Sequence, residues 1–321
     1  MYAGISGLKN FQTKLDVIGN NISNVNTYGF KKERTIFKDL ISQTQTGASG
    51  PTATRGGVNA VQVGLGSQLA AIDTVHNGGS LQTTGRTLDL AISGDGFFIV
   101  AEPNEGAVPT EEEMADITTN FLVAGGFTNE SYTRAGNFYM DRNGYLVNGD
   151  GKYAVGVAMA DLYAEVGDEP SAADTDKIDL GTDDLNATGD FLGTVGMGPI
   201  RIPTNAKSMS VGQDGTVNYV DVNGKLQYAG QLVLAKFPNA SGLEKTGSNY
   251  FQVTANSGDP LVQAGTQAGI GSVQSGFLEM SNVDLSEEFT EMIVAQRGFQ
   301  ANSRIITTSD EILQELVNLT R

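Results

Sequence analysis

Apolar residues at Leu8, Phe11, Leu15, Ile18, Ile22 and Val25 recur at alternating spacings of three and four, an uninterrupted heptad seam on a helix. Asn10, Gln12, Lys14, Asp16, Asn20, Asn21 and Asn24 fill the positions between, so the stripe is amphipathic and too narrow for burial in a globular core. At about 1.5 Å per residue the seam is roughly 27 Å long. It should stop near Asn26-Thr27-Tyr28-Gly29, where Asn and Gly supply left-handed conformations. A second heptad line closes the chain: Leu285, Met292, Phe299, Ile306 and Leu313, reinforced by Phe289, Leu316 and Val317. Asp284, with Glu287 three residues on, caps that helix, which can run roughly 50 Å. Its other core line, Gln296, Ser303 and Asp310, is polar, so the seam suits a crowded ring of neighbours better than a self-contained pair.

Between the helices the period changes to two. Leu88–Ile92 and Phe97–Val100 flank Ser93-Gly94-Asp95-Gly96, which predicts a hairpin, and Tyr132–Tyr139 with Tyr145–Val147 predicts another around Asn143-Gly144. Further strands are expected at Ser208–Val211, Thr216–Val222, Leu232–Phe237 and Tyr250–Val253, with turns at Asp214-Gly215 and Asn223-Gly224. The stretch Gly47–Gly66 is rich in Gly, Thr, Ser and Ala and reads as a connector, ordered or flexible. Two acidic stretches, 101–130 and 160–198, separate strand segments and read as surface insertions.

Charge sharpens this division. The net charge is -17, and residues 101–200 carry 4 basic against 19 acidic groups, so the acid belongs to the middle of the chain. Phosphate binding needs a basic face, which excludes a nucleic-acid partner. The 41 glycines against 8 prolines indicate turns rather than a Pro-rich disordered tract. There is no Cys, so disulfides take no part in folding. No run approaches the ~20 apolar residues of a membrane span, and Met1-Tyr2-Ala3 opens without a basic and apolar leader, so neither membrane insertion nor a cleaved secretion signal is expected.

Candidate chemistry is sparse. Gly94-Asp95-Gly96 lacks the third glycine and following helix of a phosphate loop. The cluster Asp174, Asp176, Asp179, Asp183 and Asp184 suggests calcium, but Ile178 stands where the EF-hand needs its fifth-position ligand and no Glu occupies the twelfth. His76 precedes Asn77-Gly78-Gly79 and reads as a turn residue. No residues are nominated as catalytic, cofactor-binding or metal-binding, and no enzyme activity or cofactor is expected.

The run Leu15-Asp16-Val17-Ile18-Gly19-Asn20-Asn21-Ile22, followed by Asn24 and Thr27-Tyr28-Gly29-Phe30-Lys31, resembles the N-terminal signature of the bacterial flagellar rod and hook proteins. Ser281–Asp284, Ala295-Gln296-Arg297, Ala301-Asn302-Ser303 and Ile306–Asp310 resemble the C-terminal signature of that family, and Gly94-Asp95-Gly96-Phe97-Phe98 is similar to a turn in its β domain. The likeness covers about two thirds of the chain, with the acidic insertions outside it, and the N-terminal wording Ile18–Ile22 and Thr27–Lys31 is nearer the hook members than the distal rod.

The reading that follows is a multi-domain α+β fold. Paired N- and C-terminal helices (1–30 and 281–321) form a coiled-coil-like axial domain. Residues 31–70 connect it to a mainly β domain (71–159 and 205–280), into which a small acidic domain (160–204) is set. The helix pair stays apolar on its outside, so Leu8, Phe11, Leu15, Ile18, Ile22, Val25, Leu285, Phe289, Met292, Phe299, Ile306, Leu313, Leu316 and Val317 are the expected subunit interface. Copies that rotate and rise by a fixed step make an open helical tube. The resemblance implies which tube: the curved hook that transmits motor torque, with the distal rod as the alternative, curved against straight tubes separating them. It also implies export through the flagellar secretion apparatus, a hook cap at the growing end, the rod below and hook–filament junction proteins above. From a different class, a secreted β-rich adhesin with a helical oligomerisation stalk also fits, and would form closed trimers.

Overall fold

The computed structural model describes residues 2–52, 54–103, 127–158, 197–267 and 269–319. The chain divides into two compact units: Met1–Asn26, Lys31–Val75 and Val283–Arg321 make unit 1, and Thr27–Phe30 with His76–Asn282 make unit 2.

Unit 1 holds both helices, α1 (Tyr2–Ser23) and α2 (Leu285–Leu319). The Asp284 carboxylate accepts from the N–H groups of Ser286 at 2.8 Å and Glu287 at 3.4 Å, so the expected cap forms. The Glu287 carboxylate lies 2.8 Å from the Lys32 ammonium. Four strands accompany the helices: β1 (Glu33–Asp39), β2 (Ser42–Thr46), β3 (Val61–Gly64) and β4 (Ser67–Thr74). β1 pairs antiparallel with β4, and β2 with β3. The stretch 31–70, expected as a connector, is therefore paired β structure clustering with the helices. The side chains of β2 and β3 are exposed on both faces, so no apolar alternation marks those strands, although Thr, Gln and Val suit them.

Unit 2 contains β5 (Leu81–Thr83), β6 (Leu90–Ser93), β7 (Phe97–Pro103) and β8 (Phe127–Thr133), then further strands to Glu279. Its main sheet has 12 strands among the described residues. β7 pairs with β8, with Tyr153–Ala158 and with Leu226–Lys236, so strands from before and after residues 159–196 share one sheet. Both faces of that sheet are covered. Phe98, Val100, Leu232 and Leu234 enter one apolar cluster, while Phe97, Ile99, Val233 and Ala235 enter the other. Alternate side chains point to opposite faces, so burial on both turns alternation into the continuous apolar run Phe97–Val100.

Three expected turns stand: Gly144, Gly215 and Gly224 take φ of 89°, 86° and 79°, each between paired strands. One pairing is corrected. β6 does not form a hairpin with β7 but pairs with Ser272–Ser275. Gly94 and Gly96, at φ 114° and 135°, turn the chain away, and a Cβ at Gly94 would lie 2.9 Å from the Gly271 Cα. His76 packs edge-on against Phe97 and Phe251, ring centroids 5.5 and 5.3 Å away, rather than standing on an open turn. The acidic insertions at 101–130 and 160–198, with the aspartate cluster 174–184, lie outside the described residues except at their edges. Residues 101–103 and 127–130 belong to β7 and β8, and Met197–Pro199, inside the expected 160–204 domain, pairs with Tyr153–Ala158.

Candidate functional site: the helix pair

α1 and α2 run antiparallel. Asn21 meets Glu288 near one end, Lys14 pairs with Glu291 at 3.1 Å, Gly298 lies under the Phe11 ring, and Gly4 faces Ile306. The two helices approach through small residues. A Cβ at Gly298 would sit 2.6 Å from the Phe11 ring, and one at Gly7 would sit 2.7 Å from the Asn302 amide nitrogen. A mid-helix glycine costs about 1 kcal/mol relative to alanine, and here its smallness admits the aromatic ring. Ala295, fully buried, belongs to the same face.

The inner end is held by polar contacts. Asn21 is 1 % exposed; its amide nitrogen donates to the Glu33 carbonyl at 2.9 Å and to the Glu288 carboxylate at 3.2 Å, and its amide oxygen accepts from the Glu33 N–H at 3.0 Å. One side chain thus ties α1 to α2 and β1. Burial pushes the Glu288 carboxyl above its ordinary value, against the Asn21 hydrogen bond and the Lys32 ammonium, while the carboxylates of Glu291 and Glu287 push the same way as burial. Further along α1, the Asn10 amide donates to the Ser67 hydroxyl at 2.8 Å and the Ser67 N–H to the Ser6 hydroxyl at 3.4 Å, fastening β4.

The fourteen expected interface residues fall into two groups. Ile18 is buried, and Leu8, Phe11, Leu15, Ile22, Val25, Met292 and Ile306 are half-buried. Leu285, Phe289, Phe299, Leu313, Leu316 and Val317 remain exposed, from 37 % at Phe299 to 62 % at Val317. α1 packs mainly on the smaller and more polar line of α2 through Glu288, Ala295, Gly298 and Asn302, with Ile306 of the apolar heptad line facing Gly4. Ile5, Ile293, Ile305 and Ile312 are also exposed and extend the uncovered apolar surface. Apolar periodicity missed Gly4, Gly7, Asn21, Glu288 and Gly298; the signal available for them was the placing of small and polar residues in heptad register.

Nothing in this arrangement activates a nucleophile or a water. Among the described residues no group of three or more His, Asp or Glu side chains could hold a metal ion, and no helix of the described residues is long and apolar enough to cross a membrane. What the geometry offers is an exposed apolar line along α2.

Residues 1–31 match the family described as flagella basal body rod protein, 120–219 the flagellar hook protein FlgE/F/G D1 domain, and 274–319 the flagellar basal body rod FlgEFG protein C-terminal region. The flagellar basal-body rod protein FlgG of Bacillus subtilis is 49 % identical over 324 residues, covering 100 % of this chain and 98 % of the relative. The flagellar hook protein FlgE of Borreliella burgdorferi is 33 % identical over 460 residues, covering 99 % of each chain. FlgG of Agrobacterium fabrum is 32 % identical over 310 residues, covering 96 % of this chain and 94 % of the relative. The likeness runs through the acidic stretches, which the signature motifs alone had left outside it. These relatives are structural proteins of the flagellum, not enzymes, and the adhesin reading falls away. The chain belongs to the bacterial flagellar rod and hook protein family, as a structural subunit of the flagellar rod or hook.

Proposed function

We propose that this chain polymerises into an axial tube of the flagellum, and that the tube is the distal rod. The observation that carries polymerisation is the exposed apolar line Leu285, Phe289, Phe299, Leu313, Leu316 and Val317 on α2. An apolar face this long on a soluble chain calls for cover, and identical copies related by a rotation and a rise supply it without closing. On this reading all fourteen heptad residues are interface, some inside the helix pair and the others between copies.

The rod assignment is supported by the 49 % identity to a basal-body rod protein across nearly all of both chains. The hook reading, which the wording of the N-terminal signature favours, is supported by 33 % identity to a hook protein, but that alignment takes 460 positions for a chain of 321 residues. Hook relatives of that kind carry long segments absent here. On the rod reading, the partners are further copies of the chain and the neighbouring rod and hook subunits. On the hook reading, the hook cap and hook–filament junction proteins join them. In both, the subunit leaves the cell through the flagellar export apparatus and works outside the cytoplasm.

The domain assignment is kept in altered form: an axial unit comprising both helices and 31–75, and a β unit. Electron microscopy of the polymer tests the reading: straight tubes are expected of the rod, curved tubes would return the assignment to the hook, and closed trimers would overturn polymerisation.

A further inference from the structure

Four residues of unit 2, Thr27–Phe30, come from between two stretches of unit 1. This strap is held closely. The Gly29 N–H donates to the Glu279 carbonyl at 2.8 Å, the Asn249 amide to the Tyr28 carbonyl at 3.0 Å, and the Tyr28 hydroxyl to the Gln82 side chain at 3.3 Å. Phe30 is buried, with the Lys245 ammonium 4.9 Å from its ring centroid. Gly29 has φ 71°, and a Cβ there would lie 2.6 Å from the Ala135 nitrogen, so the strap lies against the Arg134–Ala135 backbone with no room for a side chain.

Beside that backbone is a buried ion pair that none of the flagellar motifs explains. Arg134 is 2 % exposed and Glu279 1 %; Nη1 of the arginine is 3.2 Å from Oε2 of the glutamate. Nη2 of Arg134 donates to the Gly94 carbonyl at 2.8 Å, and Oε1 of Glu279 accepts from the Gly79 N–H at 2.9 Å. The guanidinium also lies 5.3 Å from the Phe97 ring centroid. Glu279 thus holds the strap with its backbone and, with its carboxylate, Arg134 and the Gly79 loop. A buried pair is poor evidence of added stability, since apolar replacements of similar volume often do as well. Its charge-assisted hydrogen bonds are directional, however, and what they fix is position.

We propose that the Arg134–Glu279 pair is a positioning lock for the Thr27–Phe30 strap: it keeps the segment following the first helix seated in the β unit while the helices are still without partners. The inference does not depend on whether the polymer is a rod or a hook, and polymerisation could fail with the lock intact.

Site-resolved hydrogen exchange on the full unpolymerised chain tests it, reading Gly29 against the amides of β7 as reference. In the wild-type chain Gly29 should be protected. Glu279→Gln, which keeps the shape and the backbone acceptor, should speed exchange at Gly29 by about tenfold or more with β7 unchanged. The double variant Arg134→Met/Glu279→Met should restore any lost thermal stability and leave the strap loose. Free exchange at Gly29 in the wild-type chain would overturn the proposal. So would unchanged protection in Glu279→Gln, equal acceleration of Gly29 and β7 in Glu279→Gln, or a fully protected strap in the double variant.

Discussion

At the scale of single residues, the helix pair depends on groups that apolar counting passes over. Glu288 is 5 % exposed and bonded to Asn21, and its raised pKa means that the folded chain binds its proton more tightly than the unfolded chain does. The contribution of such a group is present below the unfolded pKa and is lost as pH rises through the folded one. Lowering the pH from above the ordinary glutamate value down to it should therefore stabilise the α1–α2 pair in the wild type relative to Glu288→Gln. Hydrogen exchange of α1 amides across that range, with Lys32, Glu287 and Glu291 common to both chains, would read the difference. The heptad seam was legible because it is written in Leu, Ile and Phe. Asn21 and Glu288 were not, because their role comes from burial, and burial is decided by which helix face meets which. Likewise Arg134 reads as a strand residue in Tyr132–Tyr139 until the fold brings Glu279 beside it.

At the scale of elements, α2 combines two faces with different work. The small and polar line through Ala295, Gly298 and Asn302 receives α1, and the apolar line at Phe299 and Leu313 is left uncovered. Two aspartate substitutions separate them. Phe299→Asp, on the exposed line, should change the stability of the subunit by no more than about 0.5 kcal/mol and abolish sedimentable polymer, because assembly would bury an unpaired carboxylate. Leu15→Asp, half-buried in unit 1, should cost about 2 kcal/mol in subunit stability as well, read by chemical denaturation. Both helices and their cap were legible in advance. The ribbon β2–β3 was not, because strands exposed on both faces leave no alternation to read. The β6 pairing was missed for a related reason: Ser93–Gly96 announces a turn, but turn chemistry does not name the partner strand, and Ser272–Ser275 lies far along the chain.

At the scale of the whole molecule, the account rests on the claim that α2 carries a surface finished only by other copies of the chain. The native sequence has no cysteine, so one introduced thiol reports on one position. Leu316→Cys places it on α2, at a side chain 53 % exposed in the single subunit. Its rate of reaction with a water-soluble thiol reagent, measured in unpolymerised subunits and in assembled tubes, tests the claim most directly. Rapid labelling of the subunit is expected, with labelling slowed by about a hundredfold or more in the tube, where an apolar contact of several kcal/mol excludes solvent. Equal rates in the two states would contradict it, because the apolar line would then remain bare in the polymer it is held to build.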